Sequence, residues 1–383
     1  MNDSFHTQRS NDARRRFVIL RLSGRALLHA GCVLFLIATS APAQEGGPSL
    51  RFDLGLGSVY DNNILRYSDK YVIRFDNRED EGRFHIYSRD DLILVTSFRG
   101  TVTDKLIGGM NTALAVDLRR RTYTHNAIKD WYSYGLSLRQ EITRKLSAQI
   151  GYSYIPEFYI RHYRDDEWVA IHGYKPITFQ PYSFKKDDLN GWVQYALFPT
   201  TRVRLVLSYG RYFYNEHFTE YDCANTMAGV EVTHSFHKNV KVNAAYEFTA
   251  SRGDGTADMN PSDDEDTYVL GAEYTLPKVF GRSNSLGVEG EYARRYFTST
   301  HFLELDINHA GRRDDDYRFS ASYTVELMDN FGLALRYAWH KRTSTTTALE
   351  NAEYLADEKD YVQYEFGLEL KYTLNFVPSV AAE

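Results

Sequence analysis

Charged residues recur at every second position through long stretches of this chain, and that spacing decides what chemistry is open to them. The basic members are Arg51, Arg99, Arg119, Arg139, Arg204, Lys241, Arg318, Arg336 and Lys371. The acidic members are Asp53, Asp117, Glu231, Glu247, Glu273, Glu289, Glu291, Glu326, Glu365 and Glu369. A period of two collects such side chains on one face of extended strands, opposite an apolar face. A wall of this kind can orient polar solutes and filter ions through its field. Alternatively, the charges pair into salt bridges that only stiffen the wall. Arginine dominates the earlier segments and glutamate the later ones, so closing the segments into a ring would set a basic wall against an acidic one.

Three other constellations compete for a role. The stretch 156–187 carries Tyr159, His162, Tyr163, Trp168, His172 and Tyr174. An aromatic connection of that length is expected to do more than meet water: it could fold inward as a constriction, lie over an opening as a lid, or present a binding surface. The acidic run GDGTADMNPSDDED, 253–266, offers oxygen ligands to a divalent cation but lacks the spacing and terminal Glu of an EF-hand loop. A flexible acidic surface loop, and no metal site, is the expectation there. Arg74, Arg78, Arg83 and Arg89 lie among acidic residues in the stretch 61–90, which reads as a mixed solvated loop whose arginines could meet phosphates.

Enzyme chemistry finds no footing. Neither G-x-S-x-G nor H-E-x-x-H occurs, and His234 falls on an apolar row with no serine paired to it. No catalytic residues and no cofactor are expected.

The elements that must carry the charged rows are strands. The clearest is VQYEFGLELKYTLNF, 362–376, whose alternation runs unbroken. Val362, Tyr364, Phe366, Leu368, Leu370, Tyr372, Leu374 and Phe376 share one face; Glu365, Glu369 and Lys371 lie on the other. Similar segments recur from about 50 onward and predict fourteen strands, including 50–60, 91–101, 146–155, 188–197 and 361–376. Their length suits a tilted strand crossing a bilayer. Connections after even-numbered strands are mostly short. Those after odd-numbered strands are mostly long and polar, namely 61–90, 119–130, 156–187, 214–224, 251–266, 297–315 and 342–360.

This rhythm predicts an all-β chain, a transmembrane antiparallel up-and-down barrel with short turns at one rim and long loops at the other. Closure is required because unpaired backbone N–H and C=O groups in hydrocarbon have no water to bond. Strand 50–60 must then pair with strand 361–376. Fourteen strands enclose too wide a space for one layer of apolar side chains to fill, so the charged rows face inward. A soluble sandwich explains neither the alternating loop lengths nor the regular charges. Tyr60, Tyr154, Tyr209, Tyr292, Tyr296 and Trp339 near the loop ends, with Phe331 and Phe376 near the turn ends, read as interfacial girdles.

The N-terminus reads as a leader. Arg14, Arg15, Arg16, Arg21 and Arg25 precede a short apolar run, and Ala41-Pro42-Ala43 ends it. Residues 1–43 therefore read as a secretory signal peptide, leaving 44–383 as the mature barrel. Its removal takes six Arg and two Asp from 45 basic and 51 acidic residues, leaving a formal net charge of −10. An acidic chain of this kind is a poor nucleic-acid binder. Cys223 alone remains, so no intrachain disulfide is expected.

On the leader, the fourteen-strand rhythm and the terminal Tyr372-Thr373-Leu374-Asn375-Phe376, the chain resembles the outer-membrane β-barrel proteins of Gram-negative bacteria. The resemblance covers about 50–376 and assigns no narrower family. It implies a porin-like location in the outer membrane, with lipid, lipopolysaccharide and the barrel-assembly machinery as partners. In that class an aromatic-rich last strand serves as the assembly signal; here Val377 to Glu383 follow it. The expected role is a monomeric channel passing small polar or charged solutes through a water-filled lumen. The alternatives are an export or assembly pore with periplasmic partners, and a structural or surface-binding barrel with a closed lumen.

Overall fold

The computed structural model describes residues 47–278 and 281–376; the predicted leader, 1–43, lies outside them. Fourteen strands form the ring: β1 (Ser49–Asp61), β2 (Asp91–Ile107), β3 (Met110–Tyr123), β4 (Trp131–Glu141), β5 (Leu146–Arg164), β6 (Phe179–Phe198) and β7 (Thr201–Tyr214). They continue as β8 (Cys223–His237), β9 (Val240–Gly253), β10 (Asp263–Thr275), β11 (Asn284–Phe297), β12 (Arg312–Met328), β13 (Phe331–Thr346) and β14 (Tyr361–Phe376). Each is antiparallel to its neighbours in sequence, and β1 pairs with β14, so the barrel closes. The seam runs without a break from Leu50 opposite Phe376 to Asp61 opposite Glu365.

Alternation sets the two faces. Leu205, Leu207 and Tyr209 of β7 point outward, with Leu207 64% exposed; Leu270 of β10 and Phe366 of β14 do the same at 64% and 53%. An apolar surface running around a whole molecule needs apolar surroundings. Tyr246, Tyr268, Tyr292 and Tyr317 form one outward row across β9 to β12, opposite one another in register. Their successive ring centroids are 5.3, 6.3 and 5.2 Å apart. Immediately above this row the outward positions become ionic, with Arg294 on Asp315 at 2.8 Å and Arg252 on Asp264 at 2.6 Å. The apolar band ends there.

The turn rim is tight. Gly108 and Gly109 join β2 to β3 at φ +61° and +70°, and Asn330 joins β12 to β13 at +65°. These left-handed conformations suit Gly and Asn. At the seam Gly57 is required for another reason: a Cβ there would lie 2.9 Å from the Leu368 carbonyl oxygen.

The loop rim departs from the expected outline. β5 and β6 run on well past the others, pairing as far as Arg164 opposite Phe179. Bulges fall between Ile155 and Phe158 and between Tyr159 and Arg161. Most of the predicted loop 156–187 is thus a strand ribbon. Cross-strand rings hold it together beyond the rim: Phe158 stacks on Phe184 at 5.2 Å and Tyr163 meets Tyr182 edge-on at 5.2 Å. Only α2 (Asp166–His172) and a short 3-10 turn, Pro176–Thr178, bridge its tip. Two other short helices sit in the loops, α1 (Asp69–Asp76) and α3 (Ala352–Lys359).

Candidate lumen and outer vestibule

The charged residues singled out by spacing all fall on inward positions, alternating with the exposed apolar ones. Several pair along the wall. Arg99 meets Asp117 at 3.1 Å and Arg204 meets Glu231 at 2.9 Å, each across neighbouring strands. Arg318 bonds Glu291 on the adjacent strand, Lys371 meets Glu369 at 3.4 Å, and Arg51 meets Asp53 at 2.8 Å. Arg204 also bonds Gln194 at 2.8 Å and lies 4.9 Å over the Trp192 ring. Arg139 lies 5.6 Å from the centroid of the same ring. Lys241 sits opposite Glu273 in register, and Glu247 opposite Thr267. Glu289 is opposite Ser320, Glu326 opposite Gly332, and Arg336 opposite Gly367. Ring order places Arg139 on β4 half a turn away from Glu289 on β11.

The aromatic residues of 156–187 divide. Tyr159 and His162 are buried and face inward, and Tyr163 lines the mouth. Trp168 on α2 packs edge-on against His217 at 5.3 Å, at the rim. Tyr174 is 81% exposed and His172 is exposed beside it. Three of the six expected constriction residues therefore reach the mouth, from a strand rather than from a loop.

The segment that fills the mouth is the first connection, 62–90, not the third. Spacing had read it as a mixed solvated loop. Ile64, Leu65, Tyr67, Tyr71, Phe75 and Ile86 instead bury themselves against Ile93, Val95, Tyr123 and Tyr159. Ile93, on an inward position at the loop end of β2, is 0% exposed. That inward apolar pair, Ile93 and Val95, was the available signal: it breaks the polar row where a partner must cover it. Asn63 pins the entry, accepting from the Tyr67 N–H at 2.7 Å and donating to the Tyr67 and Val362 carbonyls at 2.8 and 3.2 Å. Ser68 caps α1 through the Tyr71 N–H. Lys70 of α1 reaches Glu358 of α3 at 2.7 Å, tying the first loop to the last.

Cations lie directly beneath. Arg161 donates to the carbonyls of Leu65 and Arg66, and its guanidinium sits 5.0, 5.8 and 5.6 Å from the rings of Tyr67, Tyr71 and Tyr163. Lys129, 5% exposed, donates to the Tyr159 carbonyl at 2.8 Å. Burial, with Arg161 and Arg66 nearby, pushes its ammonium down to about 7. His85 of the first loop stacks on His162 of β5 at 3.6 Å. Burial holds His162 down to about 3, with His85 adding to the effect. Arg66 extends downward to Gln363 at 3.2 Å.

Arg66, Lys129 and Arg161 line a cavity of about 1400 Å³ between the first loop, the β5–β6 ribbon and α3. On its β12–β13 side lies a buried ionic cluster: Arg312 grips Asp314 at 2.8 and 2.6 Å, while Arg342 and His340 hold Asp316 at 2.9 and 2.6 Å. The acidic run 253–266 is partly strand; its Asp263 and Glu265 meet Arg295 at 3.4 and 2.7 Å. A smaller cavity of about 380 Å³ continues below, lined by Arg66, Glu289, Glu291, Arg318, His340 and Glu365.

No family model matches the chain, and no curated protein matches it. Among solved structures it is similar to the outer membrane channel DcaP of Acinetobacter baumannii, at 10% identity over 87% of this chain and 99% of that one, TM-score 0.46. It is also similar to an anion-selective porin from Comamonas acidovorans, at 11% identity over 86% and 100%, TM-score 0.41. The outer membrane protein OprD from Pseudomonas aeruginosa matches at 10% identity over 88% and 96%, TM-score 0.39. These likenesses are of strand arrangement. The chain is a closed fourteen-stranded antiparallel β-barrel with outward apolar rows.

Proposed function

We propose that this barrel lies in the bacterial outer membrane and passes small polar or charged solutes through its lumen. One observation carries the reading: around the whole ring, charged and polar side chains point inward while the outward rows are apolar. Charge in an enclosed space needs water or partners, and the cavities along the axis leave room for water. In this reading the barrel contacts lipid and lipopolysaccharide outside, reaches its place through the assembly machinery, and does no covalent chemistry.

A second reading has its own support. The first loop packs into the mouth through an apolar core, which favours a barrel closed until that loop moves. Single-channel recording in planar bilayers separates the two. Stepwise currents from the intact chain support the open channel; no conductance above background would sink it and leave the closed barrel.

A further inference from the structure

The vestibule holds cations that a passive pore does not require. Arg161 of β5, Lys359 of α3 and Arg312 of β12 line the same cavity as Tyr163, with the Arg161 guanidinium 5.6 Å from the Tyr163 ring. Arg312 already holds Asp314. Glu358, beside Lys359, is engaged by Lys70 and Arg74 at 2.7 and 3.9 Å. The buried Nε of Arg161 has no partner. Burial works to raise the Tyr163 phenol, as it raises Tyr182 and Tyr221, yet Arg161, Lys359 and Arg312 hold Tyr163 below its ordinary value. Lys359 is pushed down by burial and by the same arginines. Arg161 and Lys359 therefore line the cavity without a carboxylate ion-pair partner among the described residues.

Beside them the wall is phenolic. Tyr182 meets Tyr163 edge-on at 5.2 Å, stacks on Tyr214 at 4.8 Å, and meets Phe218 and Tyr221 edge-on at 5.0 and 5.2 Å. Tyr182 is itself enclosed by these rings, 9% exposed, while Tyr214 and Tyr221 line the cavity around it and offer aromatic surface and hydroxyls together. A sugar presents the matching pair, C–H faces and hydroxyls. A carboxylate or phosphate on that sugar matches a guanidinium and an ammonium. The cavity, about 1400 Å³, exceeds the roughly 300–1,000 Å³ of an ordinary small-molecule pocket and has room for more than one sugar ring.

We propose that the Tyr163 cluster binds an anionic sugar, a uronate or a sugar phosphate, with Arg161 and Lys359 on its anionic group and Tyr214 and Tyr221 on its ring. That the bound sugar then passes through the lumen rests on the channel reading; the binding itself does not.

Calorimetric titration of the full chain in detergent micelles tests it, with galacturonate, glucose 6-phosphate and neutral galactose as probes. At least one anionic sugar binds about tenfold tighter than galactose, and which one binds names the source of the anion. Lys359→Met and Tyr163→Phe each weaken it about fivefold while the barrel keeps its resistance to unfolding without heat. Equal affinity for galactose, no binding of either anion, or unchanged affinity in both variants would overturn the site. Conductance recorded from the same preparation separates the two ideas. Current without binding rejects the site and keeps the channel; binding without current keeps the site and rejects the channel.

Discussion

At the scale of single residues, the first loop is seated in the mouth beside groups that burial keeps uncharged. His162 is held to about 3 against an ordinary 6.5, and His85, stacked on it, is lowered by burial as well. The docked loop refuses a proton that the undocked loop accepts, so docking is strongest above about pH 6.5 and weakens as pH falls towards 3. Lys129, ordinarily 10.5, exacts its loss between about 10.5 and 7, so that loss is already complete near neutrality. Tyr159, whose hydroxyl lies 2.6 Å from His162 Nδ1, and Arg161 are the other polar groups packed there. Conductance should therefore rise between pH 7 and pH 4, and the paired change His85→Gln, His162→Gln should flatten that rise. Currents that ignore pH over this range would refute the mechanism. None of these contacts was legible beforehand: a histidine at 85 and another at 162 carry no shared period, and only the fold stacks them.

At the scale of elements, legibility followed periodicity. The terminal strand was read as 361–376 and is found as Tyr361–Phe376; the first was read as 50–60 and is found as Ser49–Asp61. Their pairing was forced by the need to satisfy backbone groups in hydrocarbon, and the register bears it out. The ribbon of β5 and β6 was missed because bulges at Phe158 and Arg161 reset the alternation. The first loop was missed for a different reason. Its apolar residues are spaced for a short helix and an irregular coil, so no period announces that they are buried. Deleting 64–86 should raise conductance several-fold by exposing Ile93 and Val95 to water. Unchanged current after that deletion would mean the constriction lies deeper, near Glu291, Arg318 and Glu365.

At the scale of the whole molecule, charge is sorted around the ring. Pairs such as Arg99 with Asp117 and Arg204 with Glu231 neutralise part of each sector locally. Exposed pairs of this kind add little stability, about 0–1 kcal/mol each. Arg119 on β3 and Arg139 on β4 stand half a turn from β10 and β11, which carry Glu273 and Glu289. Charge sorted in this way sets up a field across the lumen. Replacing Arg99, Arg139 and Arg204 together by Glu should shift the reversal potential in a salt gradient towards cations. An unmoved reversal potential would show that the wall charges serve only one another.

The bond between Asn63 and the Val362 carbonyl joins residues 299 positions apart, and Gln363 reaches Asp61 across 302. Contacts so distant in sequence form late, because a long intervening chain must be closed first. The first loop emerges early but finds its seat only after β14 has arrived beside β1 and α3 has come into reach. Sealing of the mouth thus reports that the ring is finished. A chain halted before its last strand would carry an unpaired edge and an undocked loop together, two marks by which an incomplete barrel differs from a complete one before any solute reaches it.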